Sequence, residues 1–566
     1  MIDVRAFAYR ALVALGLAAA GGAASGQTLP YANALGAGSA GASYAPPFAP
    51  ADAAEAAPET ARAQRHRRAR IDPYVEVDQV ISAELSSGDT LTYTNVAAGV
   101  DGAIETRRVS IAVSYRYDRQ IGWNRDAGDR DSHSGVALVH VRAAPGLALD
   151  AGGLAARTSG DGRFFGPVDR ADSIDVYSLF AGPSLSTHAG PLAINASYRF
   201  GYTAIDDHLD GFGLTDGFDH STTDNASASI GMAPGRLPFG WTLGAGYLAA
   251  STDSPFDDRF HAAYARGDIV VPVGPTLALT AGVGYEDIRA SQFDILRNPD
   301  GSPVLGPDGF AHVDRGRRVL TYDIDGLIYD GGLIWRPSAR TELQVRAGHR
   351  YGGTTVAGSL THRFNENYGM SLQVFDTVET FGNVLVNDLS GLPTDFQIRR
   401  NPFTGDIGGC AFGSGPGSGG CFDRALQSIR GAPFRMRGAS FVVSGNRGLW
   451  DMGIGASYVR RDFGQGGGSP FVSFLGDEDQ VATIYGSLGR RLSRVSQLSF
   501  DVYGSWYDNN RPGFGAVTTI GGDVGYTRRF LFDRLQLLAA IGLYHSAQDG
   551  ADSTVASALL GLRYNF

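Results

Sequence analysis

The sequence predicts an all-β fold: one closed antiparallel β-barrel that crosses a membrane with about 22 strands, 18 to 24 being the span its strand boundaries allow, and with long loops on one rim. Three observations carry this. Apolar and polar residues alternate with period two over segments of about 9 to 15 residues. The connectors between those segments alternate between short and long. The last eight residues, LLGLRYNF, are themselves a two-faced strand. Side chains of a strand point alternately to its two faces, and soluble strands usually stop after about five or six residues. Two-faced segments twice that long are the pattern of strands with lipid on one side and a polar lumen on the other.

From the N-terminus, Arg5 and Arg10 form a basic region and Ala11 to Ala20 (ALVALGLAAA) a short apolar one, followed by small residues with Ala24 and Gly26 at −3 and −1 of a cleavage site. Residues 1–26 therefore read as a signal peptide, cleaved before Gln27 and too short to span a bilayer. No later apolar run approaches the roughly 18 residues of a transmembrane helix. Residues 27–70 are rich in Ala, Pro, Gly and Ser and end in the basic run RAQRHRRAR. They cannot bury enough apolar surface to fold alone and read as a disordered periplasmic linker, the basic run as a solvated stretch.

Residues 71–566 are the barrel. Val109, Ile111, Val113, Tyr115 and Tyr117 alternate with Arg108, Ser110, Ala112, Ser114, Arg116 and Asp118. Leu192, Ile194, Ala196, Tyr198 and Phe200 alternate with Asn195, Ser197 and Arg199. Phe239, Trp241, Leu243, Ala245 and Tyr247 face away from Gly240, Thr242, Gly244 and Gly246, and Leu343, Val345, Ala347 and Tyr351 away from Glu342, Gln344, Arg346 and Arg350. Further on, Leu498, Phe500 and Val502 oppose Ser499 and Asp501. Several apolar rows end in Tyr, Trp or Phe, where an interfacial girdle lies.

Connectors supply an independent check. Short ones fall at 144–146, 188–191, 234–236, 274–275, 337–338, 447–448 and 532–533. Between them come mostly longer, Gly-rich ones, at 124–131, 160–171, 207–220, 294–315, 382–433 and 464–478. Short periplasmic turns and long extracellular loops are how outer-membrane barrels are built, and an even strand count leaves both termini periplasmic. With 78 Gly, 24 Tyr and a mean hydropathy of −0.10, the composition suits many strands, turns and aromatics. A net charge of −10 disfavours nucleic acid as a partner. All 48 basic residues are arginine, as a GC-rich genome produces.

The wording at the start of the barrel, PYVEVDQVISAEL and then LTYTNVAAGVDGAIETRRVSIAVSYRYDRQIGW, resembles the "porin 2"-type barrels associated with exopolysaccharide and PEP-CTERM sorting loci. The resemblance implies a surface-polysaccharide context and no catalytic residues. At the other end, Tyr564 and Phe566 lie on the apolar face of the final strand, opposite Arg563 and Asn565. This ending resembles the closing strand of bacterial outer-membrane barrels, in which a C-terminal Phe is the assembly signal. It implies the barrel-assembly machinery and outer-membrane lipid as partners and the cell outer membrane as location.

If the apolar rows face lipid, the lumen is lined by Arg108, Arg116, Asp118, Arg199, Glu342, Arg346, Arg350, Asp501 and Arg563. Charges confined to one row support that orientation, since they are costly against lipid. Two readings stand level: arginine patches selecting acidic or hydroxylated solutes, or arginines and carboxylates pairing across strands to hold the barrel's shape. Asp323, Asp325 and Asp330 read as a hydrated lumen face, with Asp330 opposite the other two. No HExxH, GxSxG or metal-ligand spacing of the 11 histidines occurs, so no metal, cofactor or enzymatic activity is expected.

The stretch from Phe381 to Pro433 is too long for a connector. It contains an Arg399-Arg400-Asn401-Pro402-Phe403 turn, a helical stretch from Phe422 to Ile429, and Cys410 and Cys421 enclosing AFGSGPGSGG. In an exported chain those cysteines read as a disulfide. The loop either folds into the lumen as a constriction or projects outward as a ligand-contacting lid. The functional expectation is a porin-like conduit for a polar solute, an acidic saccharide among the candidates; the alternatives are a non-conducting surface scaffold or adhesin and, as a lesser one, an outer-membrane enzyme.

Overall fold

The computed structural model describes residues 68–123, 129–159, 173–207, 218–306, 312–413, 415–463, 478–510, 515–548 and 551–566. The signal-peptide reading, all of the linker before Arg68 and most of loops 160–171, 207–220 and 464–478 lie outside them. The first strand, β1, spans Arg68–Glu84, so the end of the expected linker is already barrel. It is followed by β2 (Thr90–Glu105), β3 (Val109–Gly122), β4 (Arg130–Ala144), β5 (Leu147–Ser159), β6 (Ser173–Ala189), β7 (Leu192–Asp207) and β8 (His220–Met232). Next come β9 (Gly240–Asp253), β10 (Asp258–Pro272), β11 (Leu277–Ile295), β12 (Val313–Ser338), β13 (Thr341–Arg350), β14 (Gly353–Arg363) and β15 (Tyr368–Glu379). A compact insert then holds α1 (Phe381–Ser390), β16 (Gln397–Arg400), β17 (Ile407–Phe412), β18 (Gly419–Cys421) and α2 (Asp423–Leu426). The helix expected from Phe422 to Ile429 is thus a single turn. The wall resumes with β19 (Phe434–Arg447), β20 (Trp450–Phe463), β21 (Glu478–Arg491), β22 (Ser496–Asp508), β23 (Val517–Phe530), β24 (Leu535–Gln548) and β25 (Ala551–Asn565).

Excluding β16, β17 and β18, which form their own small sheet, 22 strands make one antiparallel sheet, each paired with its neighbours in the chain and β15 with β19. The sheet closes where β1 meets β25, in a register running from Tyr74 opposite Asn565 to Glu84 opposite Val555, and the Phe566 amide donates to the Pro73 carbonyl at 3.1 Å. Closure leaves no unpaired edge, which is what lets strands cross a bilayer. Among the described residues no helix is long and apolar enough to do so.

Connector parity holds around the barrel. One rim carries the short turns, and the other carries the insert and the longer loops, although 85–89, 254–257, 351–352 and 549–550 on that rim are short as well. Alternation assigns the faces. On β1, Val75, Val77 and Ile81 are exposed while Tyr74, Glu76, Asp78 and Val80 are buried. The outward rows end toward the loop rim in Tyr115, Tyr247, Tyr285, Tyr329 and Tyr458, and toward the turn rim in Phe239, Trp335, Trp450, Phe530 and Tyr564, all exposed. These are two interfacial girdles around an apolar belt. Tyr351 departs from its row: it stands at the tight β13–β14 turn with φ +54° and packs inward.

Candidate functional site

A 22-stranded wall encloses more lumen than its own side chains fill. Here the insert between β15 and β19 occupies it. The Thr380 side chain caps α1 by accepting from the Asn383 amide, and every residue from Phe381 to Leu389 is buried. The helix lies against the inner faces of β5, β6, β7 and β8, its Phe381, Val384, Leu385 and Leu389 sharing one apolar cluster with Val136, Leu154, Val176 and Phe180 of the wall. Helix polar groups are met as well: Asn383 donates to Glu379, and Arg199 of β7 donates to the Asn387 side-chain Oδ1 at 3.4 Å.

Beyond α1 the chain runs on to the adjoining stretch of wall, β2 to β4. Tyr93 and Asn95 of β2 donate to the Phe403 carbonyl at 3.3 and 3.0 Å, and Ser134 of β4 donates to that of Gly405 at 2.9 Å. Arg400 donates to the carbonyls of Ser114 and Ser134, 3.1 and 3.2 Å away, and burial pushes its guanidinium below the ordinary arginine range. Gly405 has φ +76°, and a Cβ there would stand 2.5 Å from an Asp118 carboxylate oxygen, so both backbone and neighbour exclude a side chain.

The third anchor is the β17–β18 hairpin. Cys410 and Cys421 are cross-strand partners joined by a disulfide, S–S 1.99 Å. Both sulfurs press on Gly455 of β20, whose missing Cβ would lie 2.5 and 2.6 Å from them. Phe412 covers Gly453 in the same way and stacks on Tyr485 of β21 with ring centroids 6.1 Å apart. Arg399 reaches Asp451 at 2.6 Å, Thr158 of β5 donates to the Leu426 carbonyl at 3.0 Å, and Arg461 donates to that of Ser428 at 3.1 Å. The insert is therefore a plug, seated on β2 to β8 and on β20 and β21.

Most of the expected lumen residues do face inward, and they face partners. Arg116 meets Glu76 at 2.5 Å and Asp118 at 2.7 Å; Arg350 meets Glu286 at 2.8 Å; Arg563 meets Asp101 at 2.8 Å. Arg346 lies between Asp268 and Asp330, at 2.6 and 3.0 Å, and Glu342 accepts from Arg336 at 3.0 Å. Asp501 accepts from the Tyr485 hydroxyl at 2.8 Å. Arg108 is a correction: it is exposed in the β2–β3 turn, one residue before β3 begins, so alternation does not reach it. Asp323 and Asp325 are another, facing outward near Arg289 and Tyr285 on the loop-rim half of β12, while Asp330 faces in.

The carboxylate partners Glu76, Asp101, Asp268 and Glu286 escaped the sequence reading, although all four lie on inward rows and alternation was the signal that could have found them. So did α1, announced by Thr380 ahead of apolar residues at 381, 384, 385 and 389. Among the described residues no three His, Cys, Asp or Glu side chains gather as a metal site.

A scan against protein-family models finds no match, and a search of curated proteins finds none either. Among solved structures the chain is similar to the FrpB iron transporter from Neisseria meningitidis (F5-1 variant, apoprotein form), with 11% identity over 88% of this chain and 81% of that one and a TM-score of 0.44. It is also similar to the ferric-catecholate import receptor Fiu from E. coli K12, with 8% identity over 87% and 82% of the two chains and a TM-score of 0.40. A third is the alcaligin outer-membrane receptor FauA from Bordetella pertussis, with 12% identity over 87% and 76% and a TM-score of 0.37. Likeness of that order does not reach the chemistry inside the barrel.

Proposed function

We propose that the chain is an outer-membrane barrel that passes a polar solute, here in its closed state, with residues 381–433 as the gate. The observation that carries this is the seating of the longest connector inside the wall. A platform that worked through its surface loops would gain nothing from burying the largest of them. Anion selection by free arginines is not part of the proposal, because Arg116, Arg346, Arg350 and Arg563 already face carboxylates. A wall of paired charges interleaved with Ser, Thr and Tyr hydroxyls suits an uncharged or weakly charged hydroxylated solute of the saccharide class, in keeping with the surface-polysaccharide context of the sequence resemblance.

The test is a lock on the gate. A Cβ at Gly201 would stand 3.5 Å from the Val386 Cβ, within disulfide range. In a Cys410→Ser, Cys421→Ser background, Gly201→Cys with Val386→Cys should stop solute-driven swelling of liposomes when oxidised and restore it when reduced. Equal swelling in both states would refute the gate, and no swelling of wild-type liposomes with any polar solute would favour the scaffold.

A further inference from the structure

We propose that the turn rim between β19 and β25 binds the headgroups of anionic glycerophospholipids in the leaflet it faces. Arg447 ends β19; Arg490 and Arg491 end β21, with Arg494 in the turn that follows; Arg528 and Arg529 stand just before the end of β23, with Arg534 in the turn that follows. All seven are exposed. Against them stands Asp533, which pairs with Arg529 at 3.5 Å. Asp451, nearby in sequence, is turned inward to Arg399. Among the described residues the other six arginines have no carboxylate partner, on a chain whose net charge is −10.

Three of these arginines stand on the lipid-facing row. Exposed Ile454, Ile484 and Ile520 mark the outward parity of β20, β21 and β23, which assigns Trp450, Arg490 and Arg528 to the same surface, and Arg447 pairs directly with Trp450. The Arg490 guanidinium stacks 4.7 Å from the Trp450 ring and that of Arg528 5.2 Å from Phe530. Stacking fixes each guanidinium plane and leaves its N–H edges for phosphate oxygens, while the rings enter the acyl boundary.

The β23–β24 turn deepens the contact. Leu531, Phe532 and Asp533 all adopt positive φ, 49°, 56° and 70°, a conformation costly for apolar side chains, and Phe532 is fully exposed at its tip. Leu449, Leu492 and Val495 are exposed on the two preceding turns of the same rim. Apolar tips among arginines of which only Arg529 has a carboxylate partner match a lipid, which offers acyl chain and phosphate together, and not a free anion.

Native mass spectrometry of the folded, full-length mature barrel with equimolar phosphatidylglycerol and phosphatidylcholine tests this. Each arginine near a charged surface contributes about fivefold in binding, so wild type should retain phosphatidylglycerol with at least roughly tenfold preference, falling at high salt. Arg447→Gln, Arg490→Gln and Arg528→Gln together should abolish most of that preference, whereas Arg236→Gln with Arg340→Gln, elsewhere on the same rim, should leave it within about twofold. Heat-modifiable migration checks that each variant is folded. Absence of preference in wild type, its survival in the folded triple variant, an equal loss in the control, or displacement of the lipid by millimolar inorganic phosphate would overturn the proposal.

Discussion

Gly455 is where the plug can be loosened with one methyl group. An added Cβ would meet the Cys421 and Cys410 sulfurs at 2.5 and 2.6 Å, more than an ångström inside normal contact, and the next atom only at 3.7 Å. The sulfurs are bonded to each other on paired strands, so neither can rotate away. Overpacking of this kind costs about 1–3 kcal/mol. Because the strain exists only while the plug is seated, Gly455→Ala should raise the unseated population by about 5- to 150-fold. In a Cys410→Ala, Cys421→Ala background the clashing atoms are gone, and the same methyl should cost little. The assay is a double-mutant cycle on the rate of limited proteolysis between Gly413 and Gly420, with heat-modifiable migration as the control for the wall. The expected coupling is about 1–3 kcal/mol. Equal acceleration by Gly455→Ala in both backgrounds, or none in either, would refute the seating of the disulfide on that strand.

Other perturbations separate plug from wall. Cys410→Ser with Cys421→Ser removes a closed ring worth roughly 3 kcal/mol of loop entropy, and should leave barrel melting unchanged while raising protease sensitivity of the insert; a large drop in melting temperature would contradict this. Arg350→Met strands Glu286 in a buried site and should destabilise the barrel by about 3–5 kcal/mol in denaturant titrations, with Arg350→Met plus Glu286→Leu recovering most of it. Deleting Phe566 removes the amide that bonds Pro73 at the seam, together with an exposed aromatic of the final strand, and should impair outer-membrane assembly in cells; normal insertion of the variant would count against a terminal signal.

The wall was legible because a barrel strand is a local object. Whether Tyr564 faces lipid and Arg563 the lumen follows from the period of two alone, and neither needs to know what lies across the barrel. Arg346 and Arg350 could be assigned inward for the same reason. Arg108 could not, since a residue at the margin of a strand has no alternation to obey. Asp323 and Asp325 show a second limit. Parity separates them from Asp330 correctly, but β12 runs for 26 residues and its loop-rim half has an outer face that sees water, so charge there does not mark the lumen.

Whether the arginines select a solute or hold the wall depends on register, which one strand does not carry. Asp268, Asp330 and Arg346 come from β10, β12 and β13, and only the offsets between those strands bring the three together. The plug is one step further from the sequence. FGNVLVNDLS has β-branched and Asn residues that make a poor helix in isolation, and its helical state is held by burial against β5 to β8. The matching signal on the wall is glycine: Gly201 beneath Val386, Gly453 beneath Phe412, Gly455 beneath the disulfide and Gly542 beneath Phe403. In the sequence these look like any of the 78 glycines, because a recess acquires meaning only when the residue that fills it is known. That dependence is itself evidence about how the plug is held. Four recesses on three strands fit four features of one insert, so the seated state is a specific fit, and unseating the insert must break contacts to β7, β20 and β24 together.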